Sequence, residues 1–181
     1  MNDGAGDLRA SLLEKTLQHC VADYAILERT FAGIDSKAQA TFAVAGIFLA
    51  LSGNLIADPE LAAALNEHCG TRLLLFVALG GLVIASLCCL CAMGIRRTAT
   101  PLEGEAVSEM ASDILGPRPT DISIDEYEGW FREQIATWDE PLTALRGANG
   151  NKANWVLAAQ VVLVAAIISA VSLVMIYVLG I

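Results

Sequence analysis

The sequence predicts an all-α integral membrane protein with three transmembrane helices, an N-terminal cytoplasmic amphipathic helix and a short helical cytoplasmic segment between spans two and three. Three observations carry that expectation. Hydrophobic residues make up 55% of the 181 positions and mean hydropathy is positive, which is too apolar for an ordinary soluble domain. The excess is concentrated in three runs, 38–57, 73–95 and 155–181, none of which contains Asp, Glu, Lys or Arg. About 20 such residues in a helix cross the ~30 Å of bilayer hydrocarbon. The first run also fits a buried hairpin of a soluble bundle, because Gly53 and Asn54 stand near its outer end.

Basic residues orient the spans. Four precede the first run (Arg9, Lys15, Arg29, Lys37), one lies in the loop 58–72 (Arg72), and six lie between the second and third runs. Lys and Arg stay on the cytoplasmic side, and Arg96 and Arg97 abut the second run directly. The N-terminus and residues 96–154 are therefore expected inside, and loop 58–72 outside. About 37 polar-rich residues precede the first run, which argues against a cleaved signal peptide.

Residues 1–37 carry the clearest period. Leu13, Leu17, Cys20, Tyr24, Leu27, Phe31 and Ile34 recur at gaps of 4 and 3, the apolar seam of an amphipathic helix that needs a partner helix. In the same register Ala38, Thr41, Ala45, Phe48 and Ser52 follow, mostly small residues that permit close helix approach. One nearly continuous helix is expected, with Gly33 as its weak point. The seam fits self-association into a homo-oligomer and packing against the chain's own cytoplasmic segment equally well.

The segment 96–154 opens as a linker with three of the five prolines. Ser123 and Glu126 then have capping-box spacing, and Tyr127, Phe131, Ile135 and Trp138 follow at helical intervals. This predicts a short amphipathic helix ending near Pro141. A separate stretch with Arg146 and Lys152 leads to Trp155, an interfacial anchor at the start of the third span. Ala158, Gln160, Ala165, Ser169 and Ser172 are the expected packing face of that span.

Chemistry is sparse. No Gly-rich phosphate loop, H-E-x-x-H or G-x-S-x-G element occurs, so neither an enzyme nor a cofactor is expected. Cys88 and Cys91 spell C-x-x-C, but no His or acid accompanies them in the apolar run, and packing explains them better than a metal does. His19 and His68 fall on opposite sides of the expected membrane. The net charge is −9, with eleven of the twenty acids between Glu103 and Glu140, which argues against nucleic-acid binding, since that needs a basic footprint.

At the edge of the first run stand Asp35, Ser36, Lys37 and Ala38. Lys37 marks a membrane boundary. Asp35, two residues earlier, lies on another face of the helix, better placed to meet a different helix than to meet Lys37. A boundary role and a gating role are both open for Asp35, Lys37, Arg96 and Arg97. This D-x-K-A element opening a first span, with an amphipathic helix before it, a second span close behind and a cytoplasmic helical segment before a third, resembles the Pycsar transmembrane effectors (PycTM). These are small multi-pass proteins of the bacterial inner membrane, encoded beside a pyrimidine nucleotide cyclase. The resemblance spans most of the chain as architecture, with D-x-K-A as its one motif. It implies an antiphage defence effector that senses cyclic UMP or cyclic CMP from the paired cyclase and impairs membrane integrity, causing abortive infection.

A cyclic mononucleotide needs an aromatic surface for its base and a cation or backbone amides for its phosphate. Tyr127, Trp130, Phe131, Arg132, Trp138 and Arg146 form the richest cytoplasmic set offering both, although the same aromatics also suit an ordinary apolar helix face. Two other classes compete: an accessory membrane subunit that holds a partner through the seam, and a constitutive pore former of the holin type.

Overall fold

A computed structural model describes residues 3–56, 69–95 and 124–179. All but Ile95 of these lie in three α-helices: α1 (Asp3–Ile56), α2 (Cys69–Gly94) and α3 (Ile124–Leu179). Among the described residues there is no strand. Each helix contains a stretch long and apolar enough to cross a membrane. The 26 residues of α2 extend about 39 Å at 1.5 Å per residue, enough for the hydrocarbon layer. Arg96, Arg97, most of the 58–72 loop, the 96–123 linker and Ser123 of the expected cap lie outside the described residues.

α1 is a single helix that passes through Gly33 without a break. Its seam follows the expected register: Phe31, Ala38, Thr41 and Ala45 are buried, and Leu13, Leu17, Cys20, Tyr24, Leu27, Ile34, Phe48 and Ser52 are half-buried. The positions between them are nearly all exposed, as one-sided packing at 3.5-residue spacing requires.

Two expectations for the C-terminal part are corrected. The helix beginning at Ile124 does not end near Pro141; it continues unbroken to Leu179 with Pro141 inside. Proline leaves the carbonyl four residues back without its N–H donor. Here Pro141, Leu142 and Leu145 are all buried, so tertiary packing holds the turn that local propensity disfavours. The expected packing face of the third span is also rotated. Ala158, Gln160 and Ala165 are exposed and Ser169 and Ser172 half-buried, whereas Val156, Ala159, Leu163 and Ala166 are buried. The reason is the register inherited from upstream: from Trp138 the inward positions run Leu142, Leu145, Asn149, Lys152, Val156, Ala159, Leu163 and Ala166, with gaps of 4 and 3 throughout.

The chain divides into two compact units. The apolar unit comprises Ala32–Arg96 and Gly150–Ile181. Its interior is built from small residues and a few knobs. Ala45, Leu82, Ala85, Leu163 and Ala166 form one buried cluster, and Ala38, Ala92 and Val156 form another. α2 and α3 come close enough that a Cβ on Gly81 would lie 2.9 Å from the Cβ of Ala166, so glycine is what permits this approach. Large apolar side chains point outward: Leu73, Phe76, Leu87, Val161 and Ile168 are all more than half exposed. Small inside and large apolar outside inverts the arrangement that water selects, and fits contact with lipid.

The polar unit comprises Met1–Phe31 and Arg97–Asn149. Here Phe31, Phe131, Leu142 and Leu145 are buried together with the polar residues Glu128, Gln134 and Asn149. Tyr24 of α1 meets Trp138 of α3 edge to face at 5.6 Å, and Asn149 Nδ2 donates to the Leu27 carbonyl at 2.9 Å. The seam at Tyr24 and Leu27 is therefore occupied from within the chain.

Candidate functional site

The most unusual chemistry lies in the apolar unit. Lys152 is at an inward position of α3, one turn before Val156, and is only 1% exposed. Its Nζ lies 2.6 Å from Oδ1 of Asp35 on α1. Asp35 follows the seam residue Ile34, and its side chain is 32% exposed. A charged group held out of water is costly unless it is paired, and the carboxylate at this distance makes a charge-assisted hydrogen bond. Removing one partner of such a pair costs on the order of 3 kcal/mol, whereas replacing both with apolar residues is often neutral. The pair is therefore a weak source of net stability, and it joins α1 to α3 at one defined position. Ile34, Met93 and the Ala38–Ala92–Val156 cluster pack just beyond it.

Asp35 thus meets another helix, α3, rather than Lys37. Lys37 is exposed, and its carbonyl accepts from Thr41 Oγ1 at 2.8 Å. Trp155, three residues beyond Lys152, is 44% exposed, in the outward position that an interfacial anchor occupies. The three intramembrane-type cysteines face different ways on α2: Cys89 is buried, Cys88 half-buried and Cys91 exposed.

The six aromatic and basic candidates are distributed along α3. Tyr127 and Phe131 meet edge to face at 4.8 Å, and Trp130 meets Phe131 in the same way at 4.8 Å. Phe131 is buried, so Tyr127 and Trp130 form the accessible part of this group. The indole N–H of Trp130 is buried without a hydrogen-bond partner among the described residues. Arg132 faces Glu128 one turn back at 3.7 Å and keeps 73% of its side chain exposed. Trp138 lies two turns further on against Tyr24. Arg146, about 22 Å beyond Phe131 along the axis, pairs with Asp23 of α1 at 3.6 Å. The structure gathers Tyr127, Trp130, Phe131 and Arg132 on adjacent turns and leaves Trp138 and Arg146 elsewhere.

Sequence reasoning treats Lys152 only as a cytoplasmic charge. The signal that finds it is its spacing from Leu142, Leu145 and Asn149, which sets it on the buried seam. Ending the helix at Pro141 hides that spacing. Compared with known proteins, the chain matches no family model, no curated protein and no solved structure.

Proposed function

We propose that this chain is a multi-pass protein of the bacterial inner membrane, N-terminus inside, that acts as a non-enzymatic antiphage effector: it senses a cyclic pyrimidine mononucleotide from a paired cyclase and impairs membrane integrity. The observation that carries the reading is the pairing of buried Lys152 with half-buried Asp35, where the polar part of α1 meets its apolar run. An ion pair at that place adds little net stability over an apolar pair and joins α1 to α3 at one position of their packing. A signal that favours an arrangement without this contact would change how the apolar helices pack in a bilayer.

Further support comes from α1 itself, a single helix from polar into apolar sequence, and from the resemblance of D-x-K-A and the span order to the Pycsar transmembrane effectors. Tyr127, Trp130 and Arg132 supply stacking surface and a cation for cyclic UMP or cyclic CMP. Because the seam is engaged within the chain at Tyr24 and Leu27, copies would assemble into the homo-oligomer through outward faces of the apolar helices.

The test is expression in a bacterium with and without an active pyrimidine nucleotide cyclase, scored by entry of a membrane-impermeant dye. Dye entry only with the active cyclase is expected. Entry without the cyclase would instead indicate a constitutive pore former. No entry in either case, with the protein inserted in the membrane, would favour an accessory subunit.

A further inference from the structure

We propose that Asp35–Lys152 is an autoinhibitory latch that holds the apolar helices in a closed, non-permeabilising arrangement. Three features of the pair support it. Lys152 occupies a seam position at which Val156, Leu163 and their neighbours are otherwise apolar or small, and the Asp35 carboxylate 2.6 Å away offsets the cost of enclosing its ammonium. A polar residue at one seam position fixes which helix faces meet and in what register. Asp35 is the accessible half of the pair, with about a third of its side chain exposed, whereas Lys152 is almost fully enclosed. A competing cation or a shift of α1 therefore acts on the carboxylate and removes its 2.6 Å charge-assisted contact from the enclosed ammonium. Weakening the charge pairing of an enclosed ammonium is costly, which favours a rearrangement of α3 against α1.

The packing beside the pair is suited to such a change. There, Ala38 of α1 and Ala92 of α2 pack with Val156 of α3. The pair adds a directional contact to this small-residue packing. A ligand or partner that favours the open arrangement needs a differential affinity only large enough to overcome this contact.

What opening does to the membrane rests on the effector reading; the latch itself can be read separately. Full-length protein, with its native cysteines replaced, is spin-labelled at Ala40 of α1 and Leu157 of α3, both exposed positions of the apolar unit. It is reconstituted in liposomes, and the distance between the labels is measured together with dye leakage. The variants are Asp35→Leu, Lys152→Met and the double Asp35→Leu/Lys152→Met. The latch predicts a narrow distance distribution in the parent, a broadened and longer one in each single variant, and a return to the narrow one in the double. Leakage without nucleotide should rise at least tenfold in each single variant and stay within twofold of the parent in the double. A narrow distribution in both single variants overturns the latch, and so does a double variant as broad as the singles. Broadening that the double reverses, without any leakage, keeps the latch and overturns the effector reading.

Discussion

The polar and apolar units use the same three-and-four spacing of inward residues with opposite materials. In the polar unit the inward positions hold aromatic and large aliphatic side chains, Phe31, Phe131, Leu142 and Leu145, and burial from water is available to hold them. In the apolar unit the inward positions are largely alanine, with large side chains turned outward. Among lipids, burial of apolar surface gives no net drive, and association depends on close packing and on polar contacts. The same repeat can therefore specify helix pairing in either medium, provided that the residue sizes are reversed. The polar contacts differ in the same sense: Arg146–Asp23 is largely exposed, whereas Lys152 is enclosed beside Asp35.

That contrast can be broken most severely in the polar unit. Phe131→Ala removes a buried ring packed against Tyr127 and Trp130. It should cost about 3 kcal/mol, read as a fall in the denaturant midpoint followed by fluorescence of Trp130 and Trp138. A loss below about 1 kcal/mol would mean that this unit is not held by aromatic burial.

Close approach in the apolar unit is tested by two neighbouring glycines. Gly81→Ala sets a methyl 2.9 Å from Ala166 and should destabilise the detergent-solubilised protein by about 1–2 kcal/mol. Gly80→Ala meets nothing within 4 Å and should be neutral or stabilising by up to about 1 kcal/mol, from helix propensity alone. Equal effects at the two positions would contradict the packing of α2 on α3.

Polar groups give the smaller effects. Asn149 donates to Leu27 but leaves its Oδ1 buried without a partner among the described residues, so Asn149→Leu should raise stability by about 1 kcal/mol. The same change removes a contact that fixes the pairing of α1 with α3 in this unit. Arg146→Ala breaks only an exposed ion pair and should change stability by about 0.5 kcal/mol or less. Thermal unfolding of the purified variants in one detergent checks both, and a loss at Arg146 larger than about 1 kcal/mol would place that pair with the buried class.

Much of the fold is legible in the sequence because seam periodicity and uncharged length are local signals. The α1 register from Leu13 to Ser52 is seen in the burial of those positions, and the described residues of the three charge-free runs, Ile95 apart, lie in three helices. Two features are not legible from local rules. Pro141 is a stop signal when the turn stands alone, and only the burial of Leu142 and Leu145 shows why the helix continues. The inward face of α3 cannot be found by searching for small residues, because its buried positions mix Val156 and Leu163 with Ala159 and Ala166, whereas Ala158 and Ala165 are exposed. For the site, Asp35 is legible as a residue facing another helix. Its partner is not, since a lysine beside an apolar run ordinarily reads as a boundary charge. The aromatic and basic set follows from composition, and the 3.6-residue period then distributes it along α3, with only Tyr127, Trp130, Phe131 and Arg132 on neighbouring turns.

On the effector reading, a cyclic pyrimidine mononucleotide makes this protein permeabilise a bilayer. Dye leakage from liposomes carrying the purified full chain, titrated with cyclic UMP, cyclic CMP, cyclic AMP and cyclic GMP, checks this in a single experiment. Leakage is expected with one or both pyrimidines and none with the purines. No leakage with any of the four, from protein shown to be inserted and helical, would overturn the effector reading.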